Sequence, residues 1–140
     1  MPNKYYPFDK RLEHRALGSA PLTSTTVLGA VTERAPQRTM YLTKVLLEAI
    51  DIASSNESYQ VVVECSNDGF TTVEVAAILD LGDTAVRQSG APDNAAGDEY
   101  ELYWCTEING RKYTQSRIKL FAAGTSPSIQ LACWSTINTG

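Results

Sequence analysis

EYELYWCTEINGRKYTQSRIKLFAAGTSPSIQLACWSTI, residues 99 to 137, decides the fold, because strand signals follow one another through it almost without interruption. Tyr100, Leu102 and Trp104 fall two apart, with Glu99, Glu101 and Tyr103 between them, which is the period of a half-buried strand. Asn109-Gly110 then marks a tight hairpin, since both residue types accept the positive φ of a type I′ turn. The expected return runs from Arg111 to Ala122, with Thr114, Ser116, Ile118, Leu120 and Ala122 on one face. Gly124 to Pro127 ends it, because Pro cannot donate to a ladder. Ile129, Leu131, Cys133, Ser135 and Ile137 resume the alternation, so the stretch reads as three consecutive antiparallel strands. A last strand this close to the chain end is expected inside a sheet, where it cannot fray.

Working outward, Thr71 to Leu81 places Val73, Val75, Ala77 and Leu79 in strand phase, and Asn67-Asp68-Gly69 joins it to a preceding strand as a second hairpin. That preceding strand, Tyr59 to Ser66, is β-branched on both faces and is expected in the middle of a sheet. Thr39 to Ile52 is ambiguous. Leu42, Val45, Leu46 and Ala49 suit a helical stripe, whereas Met40 and Leu42 followed by Val45, Leu47 and Ala49 suit a strand with one slip of phase. No capping signal opens the stretch and no glycine closes it, so a strand with a β-bulge is the reading adopted. Thr23 to Val31 supplies one more strand, and Arg34 to Arg38 is a turn around Pro36. Gly82 to Gly97 is a long loop, of a length often functional in compact domains. Seven or eight short strands with no helix and no repeat indicate an all-β, antiparallel two-sheet sandwich of jelly-roll type spanning residues 22–140.

Residues 1–21 read as an extended N-terminal arm. Tyr5, Tyr6, Pro7 and Phe8 lead into the charged run Asp9, Lys10, Arg11, Glu13 and Arg15. Such an arm is either a surface-draped terminus or an extension that docks on a neighbouring subunit, because three aromatics in four residues form an apolar cluster that a lone monomer would leave exposed. Tyr5, Tyr6, Phe8, Arg11 and Arg15 are therefore the candidate contact residues, with Tyr5, Tyr6 and Phe8 supplying apolar area.

At 140 residues and a formal charge of −4 the chain is one domain without the basic field that attracts nucleic acid or an anionic membrane. Its apolar runs, such as Ala76 to Leu79, are strand-length, far below the ~20 residues that span a bilayer. Met1 to Arg15 lacks the apolar segment of a signal peptide, so a soluble intracellular product is expected. Cys65, Cys105 and Cys133 have no C-x-x-C spacing and read as reduced, buried small residues. The single histidine, His14, falls in the arm, where no scaffold would fix it for catalysis, so no enzyme is expected. Asp80 with Asp83, and Asp93 with Asp98, lack the regular spacing of a calcium loop, and Gly82, Gly90 and Gly97 do not form a phosphate loop; no cofactor or metal is expected.

The order of Leu17-Gly18-Ser19, the segment VVVECSNDGFTTVEV (residues 61 to 75), a long loop, RIKLFAAG (117 to 124) and TSPSIQLACWSTI (125 to 137) resembles small jelly-roll cement, or decoration, proteins of tailed bacteriophages. The resemblance covers roughly residues 10 to 137 and is one of pattern. It implies a structural virion protein on the outer surface of the capsid, made in the host bacterial cytoplasm, with the major capsid protein and further copies of itself, as a dimer or trimer, for partners. The Asn109-Gly110 hairpin and the aromatic arm do not map onto that family, which keeps a tail or head-completion protein open. A carbohydrate-binding jelly roll is the alternative of another class, with Tyr103, Trp104, Tyr113 and Trp134 as its stacking candidates. At two-residue spacing from Tyr100 and Leu102, Trp104 is instead expected in the core.

Overall fold

The structure is a computed structural model and describes residues 12–82 and 94–137. Ten strands run through them: β1 (Glu13–Arg15), β2 (Thr26–Glu33), β3 (Met40–Ile50), β4 (Ser58–Ser66), β5 (Glu74–Gly82), β6 (Glu99–Cys105), β7 (Glu107–Ile108), β8 (Arg111–Lys112), β9 (Gln115–Ala123) and β10 (Ile129–Ile137). Eight of them form two four-stranded antiparallel sheets, β1-β10-β3-β6 and β2-β9-β4-β5, and β7-β8 is a separate hairpin. The pairs β1 with β10, β2 with β9, β3 with β6 and β4 with β5 are nested about the β4–β5 turn. Folding that ribbon over adds β3 to β10 and β4 to β9, which closes both sheets. The result is the antiparallel two-sheet sandwich expected.

The alternation expected for β6 holds: Trp104 is buried, Tyr100 and Leu102 are half-buried, and Glu99, Glu101 and Tyr103 are exposed. In β9, Ser116, Ile118 and Leu120 point inward, and in β10, Ile129, Leu131, Cys133 and Ser135 do. The three strands are nevertheless not neighbours of one another. β6 pairs only with β3, β9 lies between β2 and β4, and β10 lies between β1 and β3. Asn109 and Gly110 do turn the chain, both at positive φ, but only the two-residue arms β7 and β8 pair across them. Tyr113 N still donates to Thr106 O at 2.8 Å, one step further along the hairpin, and there the pairing ends: Thr114 N donates to Asn67 Oδ1 at 2.8 Å, so the chain is handed to the other sheet before β9 begins.

Two phases also differ from expectation. In β3 the slip falls at Glu48, where Leu47 faces Leu131 and Ala49 faces Gln130, and not between Leu42 and Val45. Tyr41, Val45 and Leu47 line the core, and Leu42 is buried on the outer face of the same strand, so apolar residues occupy both faces and blur the period. In β5 an irregularity opposite Val63 and Glu64 leaves Val75 43% exposed, while Ala77, Leu79 and Leu81 face the core. The β4–β5 turn is longer than a tight hairpin. Ser66 Oγ accepts from Asp68 N and Phe70 N, and Asp68 Oδ1 accepts from Thr72 N, which also holds the Asp68 carboxyl below the usual carboxylate range.

The N-terminal segment departs most from its reading as an arm. Glu13 to Arg15 form β1, in register with Trp134 and Cys133, and Leu22 bridges to Ile129, so residues 13–15, ahead of the expected boundary at 22, belong to the sandwich. His14 is buried, not loose. β2 passes so close to it that a Cβ on Gly29 would lie 2.8 Å from His14 O, and Gly29 takes φ +68°, which only glycine adopts readily. On the inner face of the first sheet one side chain from each strand joins a line: Trp104 Nε1 donates to Thr43 Oγ1 (2.7 Å), Thr43 Oγ1 meets Ser135 Oγ (2.7 Å), and Ser135 Oγ meets His14 Nε2 (2.8 Å). An indole N–H can only donate, so Thr43 Oγ1 accepts from Trp104; with His14 neutral and its hydrogen on Nδ1, Thr43 donates to Ser135 and Ser135 to His14 Nε2, an order in which every hydroxyl proton has a partner. Burial lowers the His14 pKa from 6.5 to about 4, in keeping with that neutral ring.

Trp104 also stacks on Tyr41, with ring centroids 4.5 Å apart. Replacing Trp104 by Ala is expected to cost about 3–5 kcal/mol in denaturant unfolding, the range for emptying a large aromatic site. Because the folded pKa of His14 lies below its unfolded value, its contribution is complete above pH 6.5 and is lost as pH falls towards 4. The loss is on the order of 3 kcal/mol. A His14→Gln variant should unfold with a flatter pH dependence than the parent across that window, and equal slopes would contradict the assignment.

Candidate functional site

Arg15 is the one candidate contact residue that lies within the described part of the chain; Tyr5, Tyr6, Phe8 and Arg11 lie outside it. Its guanidinium donates to Ala20 O, folding the side chain back over the β1–β2 connection. That connection is anchored twice more. Gly18 N donates to both carboxylate oxygens of Glu48, each at 3.1 Å, and Gln130 Nε2 donates to Ser19 O at 3.0 Å. The bulge in β3 is what presents Glu48 for this purpose. The anchored turn leaves Leu17 64% exposed at the rim of a groove of about 400 Å³, lined by Glu13, Arg15, Ala16, Leu17, Ala132 and Trp134. The groove is largely apolar, lies on the outer face of the first sheet, and has Arg15 and Glu13 as the charged side chains among the described residues that line it.

The four aromatic candidates separate clearly. Trp104 is in the core, and Tyr113 packs against it. Tyr103 is 57% exposed, with its hydroxyl donating to Glu101 Oε2 at 3.1 Å, and Trp134 lines the groove. Both occupy the outer face of the first sheet, on either side of β3, where Lys44 stands opposite Trp134 and Leu42 opposite Tyr103.

A second surface, which the sequence reading did not single out, covers the outer face of the other sheet. Its rows follow from the register. Val27, Lys119, Val62 and Ile78 form one row across β2, β9, β4 and β5, and Arg117, Glu64 and Val75 form the next. Ile78 is 51% exposed and Val27 38%. Arg117 Nε donates to Glu64 Oε1 at 2.8 Å and its guanidinium carbon sits 4.1 Å from the Phe70 ring centroid; Lys119 Nζ is 4.8 Å from that of Phe121. The signal for this face was present, since Val27, Val62 and Ile78 are apolar at outward positions of their strands.

Chemistry is sparse by comparison. Among the described residues no three His, Cys, Asp or Glu side chains gather as metal ligands would. Asp80 accepts from Gln60 and Asp98 from Ala95 N and Tyr100 OH, while Asp83 and Asp93 lie outside the described residues. No helix among the described residues is long and apolar enough to cross a membrane. Fold and surface together define a class, an antiparallel β-sandwich with one anchored apolar groove and one flat, mixed apolar and charged sheet face. No protein-family model matches the chain and no curated protein is similar to it in sequence.

All three cysteines carry free thiols, with Cys65 and Cys133 buried and Cys105 partly exposed. Burial pushes the thiols of Cys65 and Cys133 up to about 12, which suppresses the reactive thiolate. With excess thiol reagent at neutral pH, Cys105 is expected to react in the native protein, and Cys65 and Cys133 only after unfolding. Two fast native thiols, or a bridge found by mass spectrometry, would contradict this.

Proposed function

We propose that the protein is a structural virion component without catalytic activity, a capsid decoration protein that binds the outside of a tailed-phage head and bridges major capsid proteins. The observation that carries the reading is the apolar groove beside β1, with Leu17 held at its rim and the chain that bears Tyr5, Tyr6, Phe8 and Arg11 entering β1 a few residues away. This concentrates apolar contact area at one edge of a rigid sandwich, which is what a surface-binding module needs. Binding only the assembled lattice stabilises it by mass action, and the effect repeats at every equivalent site. The charge of −4 supports the absence of nucleic acid and membrane partners, and copies of the chain meet each other as a dimer or trimer on a lattice axis. The protein is accordingly made in the bacterial cytoplasm and resides on the virion surface. A tail or head-completion protein would use the same groove.

The carbohydrate-binding alternative rests on a different observation, the shared outer face of Tyr103 and Trp134. The two readings separate in one experiment. Purified protein is sedimented with intact heads, and Leu17→Asp and Tyr103→Ala variants are compared with the parent. Removing the Leu17 contact is worth about 1.5–3 kcal/mol, so Leu17→Asp should weaken retention on heads by roughly tenfold or more while leaving thermal unfolding close to that of the parent. No retention of the parent protein on heads would overturn the proposal. Retention lost with Tyr103→Ala but kept with Leu17→Asp would transfer the contact to the aromatic face.

A further inference from the structure

We propose that the outer face of the β2-β9-β4-β5 sheet is a two-fold interface between two copies of this chain. The proposal deepens the self-association within the proposed function by naming its surface, and it is tested without capsids so that either can fail alone. Three observations carry it.

The first is exposure in one place. Ile78, Val75 and Val27 are 51%, 43% and 38% exposed, all on one sheet, with Val62 buried between β9 and β5. Four strands about 4.8 Å apart, of eight or nine residues rising about 3.3 Å each, offer roughly 600 Å² of face. Two copies would bury about 1,200 Å² together, the lower end for a specific protein interface.

The second is self-complementarity. Consider two copies stacked face to face about an axis parallel to the strands and lying over the boundary between β9 and β4. The rotation keeps every row in place and exchanges β2 with β5 and β9 with β4. Val27 then lies on Ile78 of the other copy, Lys119 over the position of Val62 and Arg117 over that of Glu64, Val62 and Glu64 being only 4% and 7% exposed in the single chain, so that each acid–base pair meets its own reverse. The other in-plane axis, perpendicular to the strands, sets each strand on itself. It stacks Lys119 on Lys119, or on Arg117 when shifted by half a row, and like charges so placed repel. Charge therefore favours the axis parallel to the strands over this one.

The third is preorganisation. Arg117 is already held by Glu64 at 2.8 Å and by the Phe70 ring, so little rotamer freedom remains to be lost on docking.

Analytical ultracentrifugation of the full chain at concentrations on the order of 100 µM, suited to an interface of this size, should find a species of twice the 15.3 kDa chain mass. Ile78→Asp and Val27→Lys should each reduce association at least tenfold, with thermal unfolding used to confirm that both fold; should Ile78→Asp fail to fold, Ile78→Thr replaces it in the self-association measurement. Mixing Ile78→Asp with Val27→Lys should restore a one-to-one dimer. In that pair one cross-interface contact becomes an ion pair and its two-fold mate remains Val27 on Ile78. A monomeric parent overturns the interface, as does a dimer indifferent to Ile78 and Val27. A mixture that stays monomeric while the parent dimerises overturns the arrangement proposed.

Discussion

The first sheet is held across its width by four side chains, Trp104, Thr43, Ser135 and His14, each from a different strand. Buried hydroxyls are costly when unpaired and useful when every proton is placed, and here one order of donation satisfies all three bonds. That order requires a neutral imidazole at one end. Protonation would turn Nε2 into a donor, turn the Ser135 hydroxyl towards Thr43, and leave Thr43 Oγ1 accepting from both neighbours with its own proton outside the line. The line therefore couples the charge state of a three-residue edge strand to the packing of the core indole that stacks on Tyr41.

The strand order of this sheet also sets the order of assembly. β10, the last strand, lies between β1 and β3, so the first sheet is incomplete until nearly the whole chain has been placed. Its pairings are between residues far apart in sequence, as Glu13 with Trp134 and Tyr41 with Ile137, and such contacts form only after long loops have closed. Slow folding of this sheet relative to the local β4–β5 pair follows from the topology alone.

Which residues face inward was largely legible in the sequence; which strand lies beside which was not. Alternation reports a face, and Tyr100, Leu102 and Trp104 or Ile129, Leu131 and Cys133 showed theirs plainly. It carries no information on neighbours, and an Asn-Gly turn suggests adjacency that Thr114 then cancels by bonding to Asn67. The β3 slip was read as a bulge but placed too early, because Leu42 is buried on the outer face as thoroughly as Val45 is on the inner. β1 was missed because three residues, Glu-His-Arg, carry no period and only one of them is buried. Of the candidate site, Arg15 was read directly, whereas Leu17 and Ala132 join it only through the turn that Glu48 anchors. The Val27 to Ile78 row needs the register of four strands before it exists at all.

Gly82 N donates to Asn94 Oδ1 at 2.7 Å, and Asn94 is buried and bonded in turn to Tyr100. A single hydrogen bond thus brings together the two points where the chain leaves β5 and comes back towards β6. The two stems are tied to each other by residues 82 and 94 themselves. Chain length there enters the folding free energy only logarithmically, at about 0.6 kcal/mol for each doubling. The sandwich is in this sense a mount with a built-in clasp, closed by one side chain at the foot of the connection.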